Sequence, residues 1–278
     1  MRVPIHVVEA RREMLSALLE RHRYLPVQEV CRHLGVSEAT ARRDLAMLAS
    51  RNKVKRTHGG ALSEFNERFP SFHERQADGA RGKSRVAVAA ARFLLPGGTY
   101  FLDSGTTIFA LAEAFRELGV SQVTIVTSNL PVGELLSSVP GLSVFLTAGQ
   151  LLGRQSVLLG DTALRSLKFW SFDAAFLSAE AADQHGIWNS QEAIVQQQLV
   201  AARRSTRVIY CLDSSKIGAS APFLLKKWDD VDTLLTDAAA AKLQAAGITP
   251  GFPRTLSCDA STSLPDFNPI PSLPVHFL

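Results

Sequence analysis

The chain has 278 residues, of which 46% are hydrophobic, a mean hydropathy of +0.07 and a formal net charge of +4. At roughly 100–200 residues per domain, this length predicts two domains with the composition of an ordinary soluble protein. No apolar run approaches the roughly 18–20 residues that span a bilayer, and Glu9, Arg11, Arg12 and Glu13 stand where a secretion signal needs an apolar stretch; a cytoplasmic protein with no membrane partner is expected.

Charge is distributed unevenly. Residues 1–60 hold 12 Lys/Arg against 6 Asp/Glu, net +6, whereas residues 61–278 hold 18 against 20, net −2. A compact basic segment on a near-neutral body fits a polyanion-binding module, with a solvated basic face as the plainer alternative. Cys31, Cys211 and Cys258 are odd in number and scattered, so they offer no metal-ligand spacing, and neither metal nor cofactor is expected.

The first predicted helix runs from Val8 to His22, with Val8, Leu15, Leu18 and Leu19 at helical spacing. A second short helix follows Pro26, whose missing amide is harmless at a helix start; Val27, Val30, Cys31 and Leu34 form its apolar face and Gly35 ends it. Ser37 then caps a third helix in which Ala41, Leu45 and Leu48 fall on one stripe, leaving Thr40, Arg42 and Arg43 largely off it. Two short helices joined by His33–Ser37, with Arg near the start of the second, are laid out as a helix-turn-helix. The following Lys53–Ala61 reads as a basic strand and glycine turn, the wing of a winged arrangement.

The string Leu34-Gly35-Val36-Ser37-Glu38-Ala39-Thr40-Ala41-Arg42-Arg43-Asp44-Leu45, with Arg56-Thr57-His58-Gly59-Gly60-Ala61 after it, resembles the DNA-binding signature of the DeoR family of transcriptional regulators. The resemblance implies double-stranded operator DNA as a partner and Ser37, Glu38, Thr40, Arg42, Arg43, Lys55, Arg56, Thr57, His58 and Gly59 as the contacting residues. Ala41 stands where the family usually has a β-branched aliphatic residue, and Pro26 where it has a Ser/Thr cap.

Residues 62–82 carry no sustained period and read as a linker, which puts the DNA-binding domain at 5–61 and a second domain at 83–240. In that domain helical stretches alternate with six short apolar runs, at 99–103, 123–127, 142–147, 172–178, 206–213 and 231–236, the pattern of an α/β fold with a mainly parallel sheet. Ligands in such sheets collect at the carboxyl ends of strands. The strongest such end is Asp103-Ser104-Gly105-Thr106-Thr107, which opens directly into a helix whose first amides, dipole and hydroxyls would cradle a phosphate; an ordinary Ser/Thr cap is the competing reading. Thr127-Ser128-Asn129, Ala148-Gly149-Gln150, Asp173–Leu177 and Asp213–Lys216 are expected around the same crevice.

The order of these segments resembles the sensor domain of DeoR-type regulators, which is similar in fold to ribose-5-phosphate isomerase. It implies a small phosphorylated sugar or related metabolite as effector, bound by Lys83, Asp103, Ser104, Gly105, Thr106, Thr107, Ser128, Asn129, Asp173, Glu192, Asp213 and Lys216. Ala148-Gly149 replaces a usual Gly-Gly pair, Ala181 a usual Gly, and Gln196-Gln197 a common basic pair. Residues 249–278 form a Pro/Ser-rich tail expected to be disordered or loosely packed.

The resulting expectation is a DNA-binding regulator, a repressor of carbohydrate genes without catalysis, acting as a homo-oligomer, dimer or tetramer. An isomerase-like enzyme with Glu180 or Asp173 as base is the alternative from another class, and a purely structural dimerisation module is a third. No Ser/His/Asp spacing, zinc motif or dinucleotide fingerprint is present.

Overall fold

A computed structural model describes residues 4–22, 24–51, 54–56, 60–63, 70–249 and 254–257. The N-terminal unit comprises α1 (Ile5–His22), β1 (Tyr24–Pro26), α2 (Val27–Leu34), α3 (Glu38–Ser50), β2 (Val54–Arg56) and β3 (Gly60–Ser63). Its helices close over a core of Leu15, Leu19, Val30, Leu45 and Leu48, which are among the apolar positions that the helical period singles out, and Leu25 of β1 joins them. Gly35 ends α2 in the left-handed conformation at φ 62°, where a side chain would be strained, and Ser37 caps α3 by accepting from the Thr40 amide. In the sheet β3 is central, antiparallel to both β2 and β1, so the wing is a three-stranded element. The Leu25-Pro26 step was expected only as a helix start; β1 exists because β3 supplies its partners.

Among the described residues, Asp44 is a polar residue inside this core. Asp44 is 1% exposed and accepts from Arg11 Nε at 2.7 Å and Arg12 Nε at 2.8 Å, with both arginines mostly buried. Burial alone would raise the carboxyl pKa; the hydrogen bonds and charges of Arg11 and Arg12 outweigh it and hold Asp44 below the ordinary carboxylate range.

Part of the stretch expected as linker is folded. Residues 64–69 lie outside the described residues, but α4 (Phe72–Ala77) and the start of α5 (Ala80–Ala91) occupy most of 70–82. Ser71-Phe72-His73-Glu74 forms a capping box in which the Ser71 side chain accepts from the Glu74 amide and Glu74 accepts from the Ser71 amide. Phe72 is 2% exposed and packs edge-on against Phe109, which a linker residue has no cause to do.

The larger unit continues with β4 (Thr99–Leu102), α6 (Thr106–Glu117), β5 (Val123–Thr127), α7 (Leu130–Ser137), β6 (Leu142–Leu146), a hairpin of β7 (Gln150–Leu152) and β8 (Val157–Leu159), and α8 (Asp161–Leu167). Then come β9 (Ala174–Leu177), β10 (Ala181–Asp183), β11 (Gly186–Asn189), α9 (Glu192–Arg203), β12 (Val208–Cys211), β13 (Phe223–Lys226), β14 (Thr233–Thr236), α10 (Ala240–Ala245) and β15 (Arg254–Ser257). Seven strands form one parallel sheet in the order β15-β14-β12-β9-β4-β5-β6. Six were expected; β15 lies in the stretch read as a loose tail and pairs in parallel with β14, while 258–278 fall outside the described residues.

Side chains alternate across this sheet. Tyr100, Leu102, Ile125 and Phe176 face α5, α6 and α7, while Phe101, Val126, Leu177 and Tyr210 face α8, α9 and α10. Both faces are covered, so the strands read as continuous apolar runs. The order reverses between β4 and β9, where β5 and β6 continue to one side and β12, β14 and β15 to the other. In open parallel sheets such a switch point is where ligands collect, here at the carboxyl ends of β4 and β9.

Asp44→Ala leaves two mostly buried guanidinium groups without their counter-ion and should cost the N-terminal unit about 3 kcal/mol. Chemical denaturation should then show an early transition for this unit while the larger one unfolds unchanged. Because the folded pKa is depressed, the Asp44 contribution is present above the unfolded value of 3.8 and is lost as pH falls through the folded pKa; a variant with unaltered acid sensitivity would contradict this.

Candidate functional site

The switch point is organised by Asp103, which follows β4 and is 1% exposed. Its amide donates to the Phe176 carbonyl at 3.0 Å, and its Oδ2 accepts from the Ser178 amide at 3.1 Å and from Gln198 Nε2 at 2.6 Å. Gln198 also donates to the Ser178 carbonyl and accepts from Asn189 Nδ2. Burial raises the Asp103 pKa to about 6, against the lowering effect of Gln198, Ser178 and Ser104.

Beyond Asp103 the chain turns through Gly105 at φ 99° into α6. A Cβ there would stand 2.7 Å from Ser178 Oγ, which itself donates to the Ser104 carbonyl, so the close approach of the two strand ends requires glycine. Asn129 caps α7 and donates to the Gly105 carbonyl at 3.1 Å, bringing the end of β5 to the loop. Ser104, Thr106 and Thr107 are buried, and the α6 N-terminus lies at the loop. Thus Asp103, Ser104, Gly105, Thr106, Thr107, Ser128 and Asn129 lie together at adjoining strand ends.

Charged groups gather at the same end. Lys83 on α5 is 5% exposed and donates to the Arg75 and Asp78 carbonyls, closing the end of α4; burial pushes its ammonium pKa below the usual range, with Asp213 pulling the other way. Asp213 caps a 3-10 turn by accepting from the Ser215 amide, and its Oδ2 is buried without a partner. Lys216 Nζ lies 3.7 Å from Glu180 Oε2, while Arg75 Nη1 lies 3.9 Å from Glu180 Oε1. The Arg75 carbonyl also accepts from Thr106 Oγ1 at 3.5 Å. The helix α4 is therefore bonded to both the loop and Lys83.

One expected site residue is placed elsewhere, and a second is not bonded to the loop. Asp173 precedes β9 and accepts from the Thr99 amide at 2.8 Å, at the amino end of the sheet; the expected run began before the strand does, so its polar start was mistaken for a carboxyl end. Ser178 and Glu180 occupy that position instead. Glu192 is exposed in the first turn of α9, and no hydrogen bond or ion pair ties it to the loop. Arg75, Ser178 and Gln198 were not foreseen. Gln198 had a legible signal, a polar residue on the helix face that carries Ile194, Val195 and Ala201 inward; Arg75 had none, since its role depends on where α4 packs.

On the DNA-binding unit, Arg42 and Arg43 are exposed at the first turns of α3, as expected. Arg42 forks onto Glu38 Oε1 one turn earlier, and the Ser37 and Thr40 hydroxyls lie 3.0 Å apart. Lys55 and Arg56 lie on β2, whereas Thr57, His58 and Gly59 fall outside the described residues.

Asp103 binds a proton more tightly folded than unfolded, so between about pH 4 and pH 6 stability should fall as pH rises, by on the order of 3 kcal/mol in all. Asp103→Asn should remove that slope. Thermal unfolding of both proteins across this range, with the same slope in each, would overturn the assignment.

A family model described as "DeoR C terminal sensor domain" matches residues 79–238, and one described as "DeoR-like helix-turn-helix domain" matches residues 11–66. The chain is 27% identical over 232 residues to the "HTH-type transcriptional repressor GlcR" of Bacillus subtilis, covering 82% of this chain and 88% of that one. It is 30% identical over 231 residues to the "Glycerol-3-phosphate regulon repressor" of Escherichia coli (82% and 90%) and 28% identical over 248 residues to the "HTH-type transcriptional regulator UlaR" of Shigella sonnei (86% and 96%). Ribose 5-phosphate isomerase A from Neisseria gonorrhoeae aligns with a TM-score of 0.36 at 18% identity over 48% of this chain and 52% of that one. With both of its domains matched in order, the chain belongs to the DeoR family of transcriptional regulators.

Proposed function

We propose that this protein is a sequence-specific regulator of carbohydrate genes, a repressor whose affinity for operator DNA changes when a phosphorylated sugar binds at the switch-point crevice. The observation that carries the reading is the bonding of α4. This helix is the first described element of the larger unit after the DNA-binding domain, and its Arg75 carbonyl accepts from both Thr106 of the loop and Lys83. A dianion at the α6 N-terminus would draw on the same hydroxyl and ammonium, so its arrival and the seating of α4 are not independent.

The crevice suits such a ligand chemically. Arg75 and Lys216 face Glu180 at 3.7–3.9 Å, long enough for a phosphate to compete for either cation. Ser128 Oγ and Thr147 Oγ1, at the ends of neighbouring strands, are buried without partners and match the hydroxyls of a sugar. The name of one relative, a glycerol-3-phosphate regulon repressor, points to a phosphorylated metabolite as well.

In this reading the residues around Ser37, Thr40, Arg42 and Arg43 enter the major groove, the β2 arm grips the backbone, and the protein works as at least a dimer on two half-sites. An operator selected from a random-sequence pool supplies the test. Replacing Arg42 and Arg43 together by Ala should abolish its binding with the fold intact, and each single replacement should lower the salt slope by about one per lost phosphate contact. Wild-type affinity and slope in the double variant would refute the interface.

For the effector, a thermal-shift screen of sugar phosphates should find a stabilising ligand, and Lys216→Gln should weaken it at least tenfold. Calorimetric titration of that ligand with and without operator should give two different affinities; equal affinities would remove the sensing role. Steady conversion of the ligand, abolished by Glu180→Gln, would establish an enzyme instead.

A further inference from the structure

The sheet ends at β6 with an edge that natural proteins rarely leave bare. Among the described residues β6 pairs only with β5, in unbroken register from Leu142 to Leu146, and it contains no charge, proline or bulge. These are the devices that ordinarily protect an exposed edge. The opposite edge is the short β15; the edge at β6 carries an aromatic cluster as well.

Alternation points Leu142, Val144 and Leu146 towards α7, where Leu146 fills the space left by Gly133, and sends Phe145 to the other face. That face is covered by α8, α9 and α10 over the central strands, but Phe145 remains 46% exposed. Its ring packs against Trp170, tilted by 56° with centroids 4.9 Å apart, and Phe169, next to Trp170 in the chain, is 88% exposed. Leu146 and Leu151 add exposures of 45% and 47%. The two phenylalanines alone expose on the order of 250 Å² of aromatic surface. That is roughly a third of the ~800 Å² per partner of a stable interface, before the leucines and the strand backbone are included.

We infer that β6 and the Phe145–Phe169–Trp170 cluster form the face on which two copies of this chain pair about a two-fold axis, strand against strand. The occupant is a second copy for two reasons. A strand with no charge meets its own antiparallel copy without like-charge repulsion, which satisfies the self-complementarity that a two-fold interface demands. Each copy also carries one recognition helix, and two half-sites need two copies; for this second reason alone the inference rests on the DNA-binding reading.

Sedimentation equilibrium of the full chain without DNA or effector tests it, so that failure here leaves the regulatory reading standing. The wild type should be dimeric at micromolar concentration. The Phe145→Lys, Phe169→Asp double variant should raise the dimer dissociation constant at least tenfold with unchanged circular dichroism. Leu118→Glu, on the separate groove between α5 and α6 where Val88 and Leu118 are exposed, should dimerise as the wild type does. A monomeric wild type, a double variant that associates as tightly as the wild type, or dissociation by Leu118→Glu alone would overturn the assignment. Should the double variant fail to fold, hydrogen exchange of the unaltered chain decides: the amides of 142–146 should gain protection as protein concentration rises, and protection independent of concentration would overturn it.

Discussion

One buried carboxylate joins the halves of the sheet. Asp103 stands at the reversal of strand order, where β4 and β9 part company at their carboxyl ends, and its side chain binds the first amide past β9. Without that bond the two strand ends would offer unpaired polar groups in an apolar surrounding. Gln198 brings α9 to the same atom, Gly105 lets Ser178 close in, and Asn129 ties the end of β5 to the loop. The loop at the α6 N-terminus is thus braced from three sides. Its geometry belongs to the sheet and not to the loop alone.

The helix α4 gives this site its reach. It is short, and a helix of its length has little stability by itself. It persists because a capping box closes its start, Phe72 is buried against Phe109, and Lys83 closes its end. Lys83 and Thr106, which bond α4, thus also stand at the strand ends around the Asp103–Thr107 loop. A ligand changes a conformational balance only by preferring one arrangement over another, and in the proposed regulatory reading the hydrogen bonds shared by Arg75, Lys83 and Thr106 would supply that preference.

The basic N-terminal unit uses its charge in two ways. Arg11 and Arg12 neutralise Asp44 inside the core, whereas Arg42 and Arg43 remain at the surface of α3. The net charge of +6 over residues 1–60 therefore overstates how many arginines are at hand for a phosphate backbone. The triad ties α1 to α3, the helix that carries the exposed pair.

The sequence by itself determined the two-part architecture, the helices around Gly35 and Ser37, six of the parallel strands and the loop Asp103–Thr107, because each is written in local chemistry: a helical period, a cap, a left-handed glycine, an apolar run. Even Ser71–Glu74 carried a readable capping signal, hidden among charges that looked like linker. Only the tertiary structure decided that Asp173 faces the far end of the sheet, that Arg75 reaches Glu180, that Gln198 meets Asp103 across 95 positions, and that residues 254–257 add a strand to β14. These are pairings between distant segments. A chain's pattern states which residues prefer burial or exposure, but which partner each one meets is set by the order and direction of strands in a sheet that forms only when the whole domain packs.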